Sequence, residues 1–138
     1  MRLADERDTS AIREALLRLQ EYAKAYDFAV GVNFTLGAGA IADAVADGKG
    51  YVIDGYLVMV DKIIPWYSTQ PVLQEWLVLK LYPGGKVDSI PPTLLVIARL
   101  MGCVCVISGD SSPTNIMAKA YSNAGWGHLT TSFYKRVP

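Results

Sequence analysis

The sequence predicts a mixed α+β domain: a central twisted mixed sheet flanked by helices. Three observations carry that expectation. Apolar runs of strand character stand at residues 50–61, 72–82 and 103–107. Helical segments alternate with them, marked by apolar residues at helical spacing after Asp8 and by proline-led starts at Pro91 and near Pro113. The third is composition. At 138 residues, 51% hydrophobic and 19% charged, the chain can bury one sizeable core and is too short for two ordinary domains. One domain over residues 1–138 is expected.

Residues 1–4 can form a short first strand. Asp8 offers an N-cap oxygen, and Ile12, Leu16, Leu19, Tyr22 or Ala23, and Tyr26 then fall on one helical stripe, with Arg13, Glu14, Arg18 and Glu21 on the wet side. The Ala-rich stretch from Phe34 to Asp47, with Gly37 and Gly39, reads as a second short helix or an irregular turn. Residues 50–61 read as a hairpin, because the Asp54-Gly55 pair is a strong two-residue turn signal between β-prone runs. Pro65-Trp66-Tyr67 interrupts the pattern before a long strand at 72–82, apolar on both faces around Trp76-Leu77-Val78-Leu79 as a central strand would be. Pro83-Gly84-Gly85 ends it. A helix follows from Pro91-Pro92 through Met101, with Gly102 as its C-cap. Residues 103–107 read as a buried strand. The last helix opens at Pro113 or Thr114, runs to about Asn123 and ends at Gly125. A final strand over 126–137, with Leu129, Thr131 and Phe133 alternating, closes the chain.

Composition also excludes some classes. Thirteen basic residues balance thirteen acidic ones, and no run of Lys or Arg is present, so no nucleic-acid partner is expected. The longest apolar stretches are about ten residues, against the roughly 20 that span a bilayer, so no membrane partner is expected either. The N-terminus lacks an apolar signal-peptide core, which predicts a cytoplasmic protein. Cys103 and Cys105 lie on the same face of one extended run and are expected to be buried, reduced thiols. One histidine, His128, and no CxxC pair give too few soft ligands for zinc, so no metal site is expected. His128 itself reads as a surface or edge-strand residue.

The segment Asn115-Ile116-Met117-Ala118-Lys119-Ala120-Tyr121-Ser122-Asn123-Ala124-Gly125-Trp126 carries a spaced pattern: Asn, a small residue three on, Tyr six on, then Gly and an aromatic. Asn115 and Tyr121 fall on adjacent turns of one helix, about 600° apart around its axis, with Ala118 between them. The pattern can equally come from an amphipathic helix whose Tyr and Trp are core and whose Gly is a C-cap. In this register, with a strand expected on either side, it resembles the last conserved motif of the GCN5-related N-acetyltransferases. The resemblance covers most of the chain, most closely from Val72 onward and least over residues 28–49. It implies that family's acyl-CoA N-acyltransferase fold, acetyl-CoA as co-substrate and a small-molecule or protein amine as acceptor. It further implies that Asn115 contacts the pantetheine, that the backbone of Leu77 and Val78 lies beside the acetyl carbonyl, and that Tyr121 protonates the departing thiolate. Glu75 stands near the start of the long strand, where many enzymes of the family put the carboxylate that deprotonates the amine; a strand Glu facing solvent is the other reading.

The chain departs from the family at one place. Between the fourth strand and the next helix the family carries Arg or Gln, two residues, Gly, one residue, and Gly or Ala, whose backbone N–H groups hold the pyrophosphate of coenzyme A. Here that stretch holds Gly84, Gly85 and Lys86, followed by Asp88 and by Pro91-Pro92, which remove two backbone donors. Gly84 and Gly85 can still form a backbone nest, and Lys86 can pair a phosphate. The altered loop supports a second expectation: a catalytically inactive binding or structural protein of the same fold. Short degenerate relatives of this kind occur in phage genomes, some as virion components. The Pro65-Trp66-Tyr67 segment would then be an interface patch for a homo-oligomer or a virion assembly partner.

Overall fold

The computed structural model describes residues 1–24, 34–110, 114–130, 135 and 137. Among these residues, five strands and four α-helices follow in the order β1 (Arg2–Leu3), α1 (Thr9–Ala23), α2 (Phe34–Ala46), β2 (Gly50–Ile53), β3 (Tyr56–Ile63), β4 (Val72–Lys80), α3 (Ile90–Leu100), β5 (Val106–Ile107) and α4 (Ile116–Asn123). The strands form one sheet in sequence order. Pairing is antiparallel from β1 to β4 and parallel between β4 and β5, as a strand–helix–strand crossover through α3 requires. The mixed sheet flanked by helices is the architecture expected from the sequence.

The sheet separates two apolar layers. On one face, Ile12, Ala15 and Leu16 of α1 and Ile41 of α2 pack on Val52, Leu57, Met59 and Leu79. On the other, Ile90, Leu94, Ile97 and Ala98 of α3 and Met117 and Tyr121 of α4 pack on Ile53, Val58, Val60 and Leu73. In β3, Leu57 and Met59 serve the first layer and Val58 and Val60 the second, and all four are fully buried. Burial of each such side chain contributes roughly 1.5–3 kcal/mol, which makes β3 the centre of the molecule.

The Asp54-Gly55 turn joins β2 to β3 with both residues at positive φ, 47° and 82°. That is the geometry a two-residue hairpin loop needs to match strand twist. Pro91 and Pro92 lie in the first turn of α3, where the missing N–H groups have no intrahelical partner to lose. Gly102, at φ 68°, closes α3, and the Cys103 N–H donates to Ala98 O.

Several expectations are corrected. Asp8 stands at the start of α1, but its side chain does not cap the helix. It is fully buried instead, bound by the Arg2 guanidinium at 2.6 and 2.8 Å and by the Tyr82 hydroxyl at 2.5 Å. Leu19 and Tyr22 are exposed, because the helix buries a narrower stripe ending at Ala23; Tyr26 lies outside the described residues. The long strand stops at Lys80. Residues 103–107 are not a buried strand: only Val106 and Ile107 join the ladder, Cys103 is half-buried and Cys105 exposed. Here the chain is still leaving α3, and β5 is outermost among the described strands. Both cysteines are free thiols. The final strand is absent over residues 126–130, where Leu129 and His128 are exposed; Thr131 and Phe133 lie outside the described residues. No helix of the described residues is long and apolar enough to cross a membrane.

Candidate active site

A single irregularity in β4 positions the candidate site. Met59 pairs with Leu77 but Val60 pairs with Glu75, so Trp76 is the extra residue of a β-bulge. Strand side chains alternate faces, and without the bulge Glu75 would share a face with Leu77 and Leu79, toward α1 and α2. The extra residue reverses the alternation. Glu75 therefore joins Val60 on the face covered by α3 and α4, and Trp76 is left 40% exposed. Pairing of β4 with β5 covers only Leu73 and Gln74. Among the described residues, the β5-side edge of β4 is thus unpaired beside Leu77 and Val78.

Glu75 is buried, at 6% exposure. Its Oε2 accepts from the Tyr121 hydroxyl at 2.9 Å and, in a short hydrogen bond, from the Ser108 hydroxyl. Burial pushes the Glu75 carboxyl above the usual carboxylate range, and Asp110 adds to the rise; the two hydroxyl donors oppose it. Burial also raises the Tyr121 phenol, with the Glu75 charge second. The Tyr121 ring stacks at 34° on Trp126, centroids 4.6 Å apart, so ring and hydroxyl are both fixed. Trp126 is brought back by the helix end, where Gly125 turns at φ 80° and the Trp126 N–H donates to Tyr121 O.

The N-terminus of α4 is held from outside its own motif. Asn115 takes a left-handed conformation, φ 51°, and its side chain makes no capping bond. The Asp110 carboxylate takes that role, accepting from the Ala118 N–H at 3.0 Å. The segment from Ser108 to Asp110 therefore binds both Glu75 and the helix that carries Tyr121.

The loop after β4 is engaged by the hairpin turn. Gly55 O accepts from the N–H groups of Leu81 and Tyr82. The Asp54 carboxylate accepts from the Lys86 N–H at 2.8 Å and the Ser89 hydroxyl at 2.9 Å, which holds Asp54 below its usual range. Gly85 lies so close to the turn that a Cβ there would stand 1.5 Å from Asp54 O. Gly84, at φ 100°, meets nothing, and the Lys86 side chain is exposed.

Of the residues singled out from sequence, Glu75 and Tyr121 come into direct contact, and Leu77 and Val78 follow the bulge directly. Gly84, Gly85 and Lys86 form a separate group past the end of β4, and Asn115 stands at the head of α4. Ser108, Asp110 and Asp54 were not singled out. Ser-x-Asp is too common to signal a site, and Asp54 reads as a turn residue by its Asp-Gly pair alone. A groove of about 1030 Å³ lies between the start of α1 and α2 on the opposite face and includes none of these residues.

Neither a family model nor a curated protein matches the sequence. Solved structures do match the fold. A probable acetyltransferase superposes with a TM-score of 0.62 at 10% identity, over 98% of this chain and 94% of its own. An acetyltransferase of Trypanosoma brucei does so at 0.57 and 20% identity, over 99% and 97%. The aminoglycoside N-acetyltransferase AAC(6')-Iy, in complex with CoA, gives 0.58 at 16% identity, over 99% and 92%. At such identities the likeness is one of fold: the chain has the fold of the acetyltransferases.

Proposed function

We propose that this acetyltransferase fold serves an acyl-CoA-dependent N-acyltransferase, which moves an acetyl group from acetyl-CoA to a small-molecule or protein amine. The observation that carries the reading is the Glu75–Tyr121 contact. A buried carboxylate of raised proton affinity and a phenol meet beside the place where β4 loses its β5 partner. The CoA complex of AAC(6')-Iy supports the class of co-substrate.

Each residue then has one chemical task. An acceptor ammonium must lose a proton before its nitrogen can attack, and Glu75 is the base. The neutral nitrogen adds to the thioester carbonyl carbon, supported by the free backbone edge beside Leu77 and Val78. The C–N bond forms, the C–S bond breaks, and the sulfur takes its proton from Tyr121. Two protons leave the nitrogen in all; one replaces the proton that Tyr121 gave and the other goes to water. Asn115 binds the pantetheine arm, and Gly84, Gly85 and Lys86 bind the pyrophosphate.

The two halves of the coenzyme site fit unequally. The open edge of β4 suits a backbone-bound pantetheine. At the loop, the Lys86 N–H and the Ser89 hydroxyl already serve Asp54. This favours a second reading: a binding or structural protein with the same fold, such as a virion component of a phage, with the exposed Trp66 and Tyr67 as its contact surface.

Calorimetric titration with acetyl-CoA separates the two. The enzyme reading expects micromolar affinity, about −8 kcal/mol, and at least tenfold weaker binding by Lys86→Ala, since a charge-assisted contact contributes roughly 1.5–3 kcal/mol. No binding at millimolar acetyl-CoA would favour the structural reading.

A further inference from the structure

Glu75 is only 6% exposed, and both of its hydrogen bonds end on Oε2. Among the described residues, Oε1 accepts none. A buried carboxylate oxygen without a donor is costly, and the core of that face, from Val60 to Leu94, Ile97 and Met117, is apolar and would pack a Leu or Met here at no such cost. The arrangement is also asymmetric in a chemically useful way. Two donors on one oxygen draw its electron density and leave the other oxygen as the better proton acceptor.

Ser108 supplies the second donor. It follows β5 directly, and with Tyr121 it grips the carboxylate from two elements, the β5–α4 connection and α4 itself. We propose that Ser108 is a positioning residue of the acyltransferase site: it saturates Oε2 together with Tyr121, fixes the Glu75 rotamer, and leaves Oε1 as the atom that takes the proton from a primary ammonium. This rests on the acyltransferase reading. In the step, an N–H bond breaks, its electron pair stays on nitrogen, and Glu75 becomes a neutral acid. The titratable groups facing Glu75 are Tyr121 of α4 and Asp110 beyond β5. From β3, Val60 pairs with it, and Lys62 on the same strand face donates to Met101 O at 2.7 Å.

The test is a carbon-13 NMR titration of the Glu75 carboxyl in the full chain, wild type against Ser108→Ala, Ser108→Cys and Ser108→Thr. Losing one hydroxyl donor to the anion should raise the Glu75 midpoint by about one unit in Ser108→Ala, a tenfold change in ionisation. The weak thiol donor of Ser108→Cys should give an intermediate rise, and it keeps the comparison available should the alanine variant not fold. Ser108→Thr, which keeps the hydroxyl, should restore the wild-type midpoint. With acetyl-CoA and an amine panel, the acid limb of kcat/KM should move up by the same amount while KM for acetyl-CoA stays constant. An unmoved midpoint in the folded alanine and cysteine variants, or failure of threonine to restore it, overturns the proposal. An acid limb that stays put while the midpoint moves also overturns it. If no variant, wild type included, transfers acetyl groups, the acyltransferase reading fails and the site role falls with it; a midpoint shift would then leave only a structural bond.

Discussion

Tyr121 joins two jobs in one side chain. Its ring belongs to the apolar layer under α4, and its hydroxyl binds Glu75. Tyr121→Phe keeps the ring and removes the hydroxyl. If Tyr121 is the acid that protonates the thiolate, this change should lower kcat by about 10²-fold or more. Steady-state kinetics with saturating acetyl-CoA gives the answer, and an unchanged kcat would leave water as the proton source. The same change strips one of the two donors from a buried carboxylate, so the Glu75 titration midpoint should rise even in a protein without activity. The spaced motif and the family resemblance singled out Tyr121, and the resemblance alone Glu75, but neither announced their contact. Position 75 also read as a solvent-facing strand residue, because one inserted residue decides which face it takes.

At the scale of elements, the β2–β3 turn and the loop after β4 behave as one unit. Gly55 O receives two loop N–H groups, and Asp54 receives the Lys86 N–H and the Ser89 hydroxyl. Gly85 has no room for a side chain, since a Cβ would overlap the Asp54 carbonyl at 1.5 Å. Gly85→Ala should therefore force turn and loop apart and destabilise the protein by about 1–3 kcal/mol, the usual range for overpacking. Gly84→Ala meets no neighbour and would be strained only by its backbone, at φ 100°. Urea denaturation of the pair checks this. A Gly85→Ala protein as stable as wild type would mean that the turn moves away freely. From sequence the Gly-Gly pair was expected to form a phosphate nest; the structure shows instead that Gly85 needs to be glycine because of a turn about thirty residues upstream, which no local pattern announces.

Across the whole molecule, Asp8 ties the N-terminal segment to the end of the β4 region, 74 residues away. Arg2 of β1 and Tyr82 beyond β4 both bind the one buried carboxylate at the entry to α1, which also accepts the Asp5 N–H at 3.0 Å. The Arg2 guanidinium holds Asp8 well below the usual carboxylate range, with help from the Tyr82 hydroxyl against the cost of burial. A carboxyl whose folded affinity for protons is lowered stabilises the fold above its unfolded pKa, about 3.9, and loses that contribution as pH falls toward the folded value. Wild-type stability should thus decline below about pH 4. Asp8→Asn should be less stable than wild type at pH 7, by about 1.5–3 kcal/mol, less than for a fully buried pair because Arg2 is partly open to water. The gap should narrow as pH drops. Thermal melts of both proteins from pH 7 to pH 2 test this, and a gap that stays constant with pH would show that Asp8 contributes by packing alone.

The order of the elements from β1 to α4 and the Asp54-Gly55 hairpin were determined by the sequence itself, because each rests on short-range physics: side-chain period, turn residues at positive φ, and prolines in a first helical turn. The spaced pattern from Asn115 to Trp126 was equally local, since one helix turn and its glycine end bring Trp126 onto Tyr121. The bulge at Trp76, the placing of Ser108 on Glu75, and the occupation of the loop donors by Asp54 were decided only by tertiary structure. Each depends on two segments far apart in sequence meeting at hydrogen-bond distance, and nothing in either segment alone prefers that partner. For the same reason the 103–107 run misled: its composition is that of a buried strand, but its first residues close α3 and its place at the sheet margin leaves Cys105 exposed.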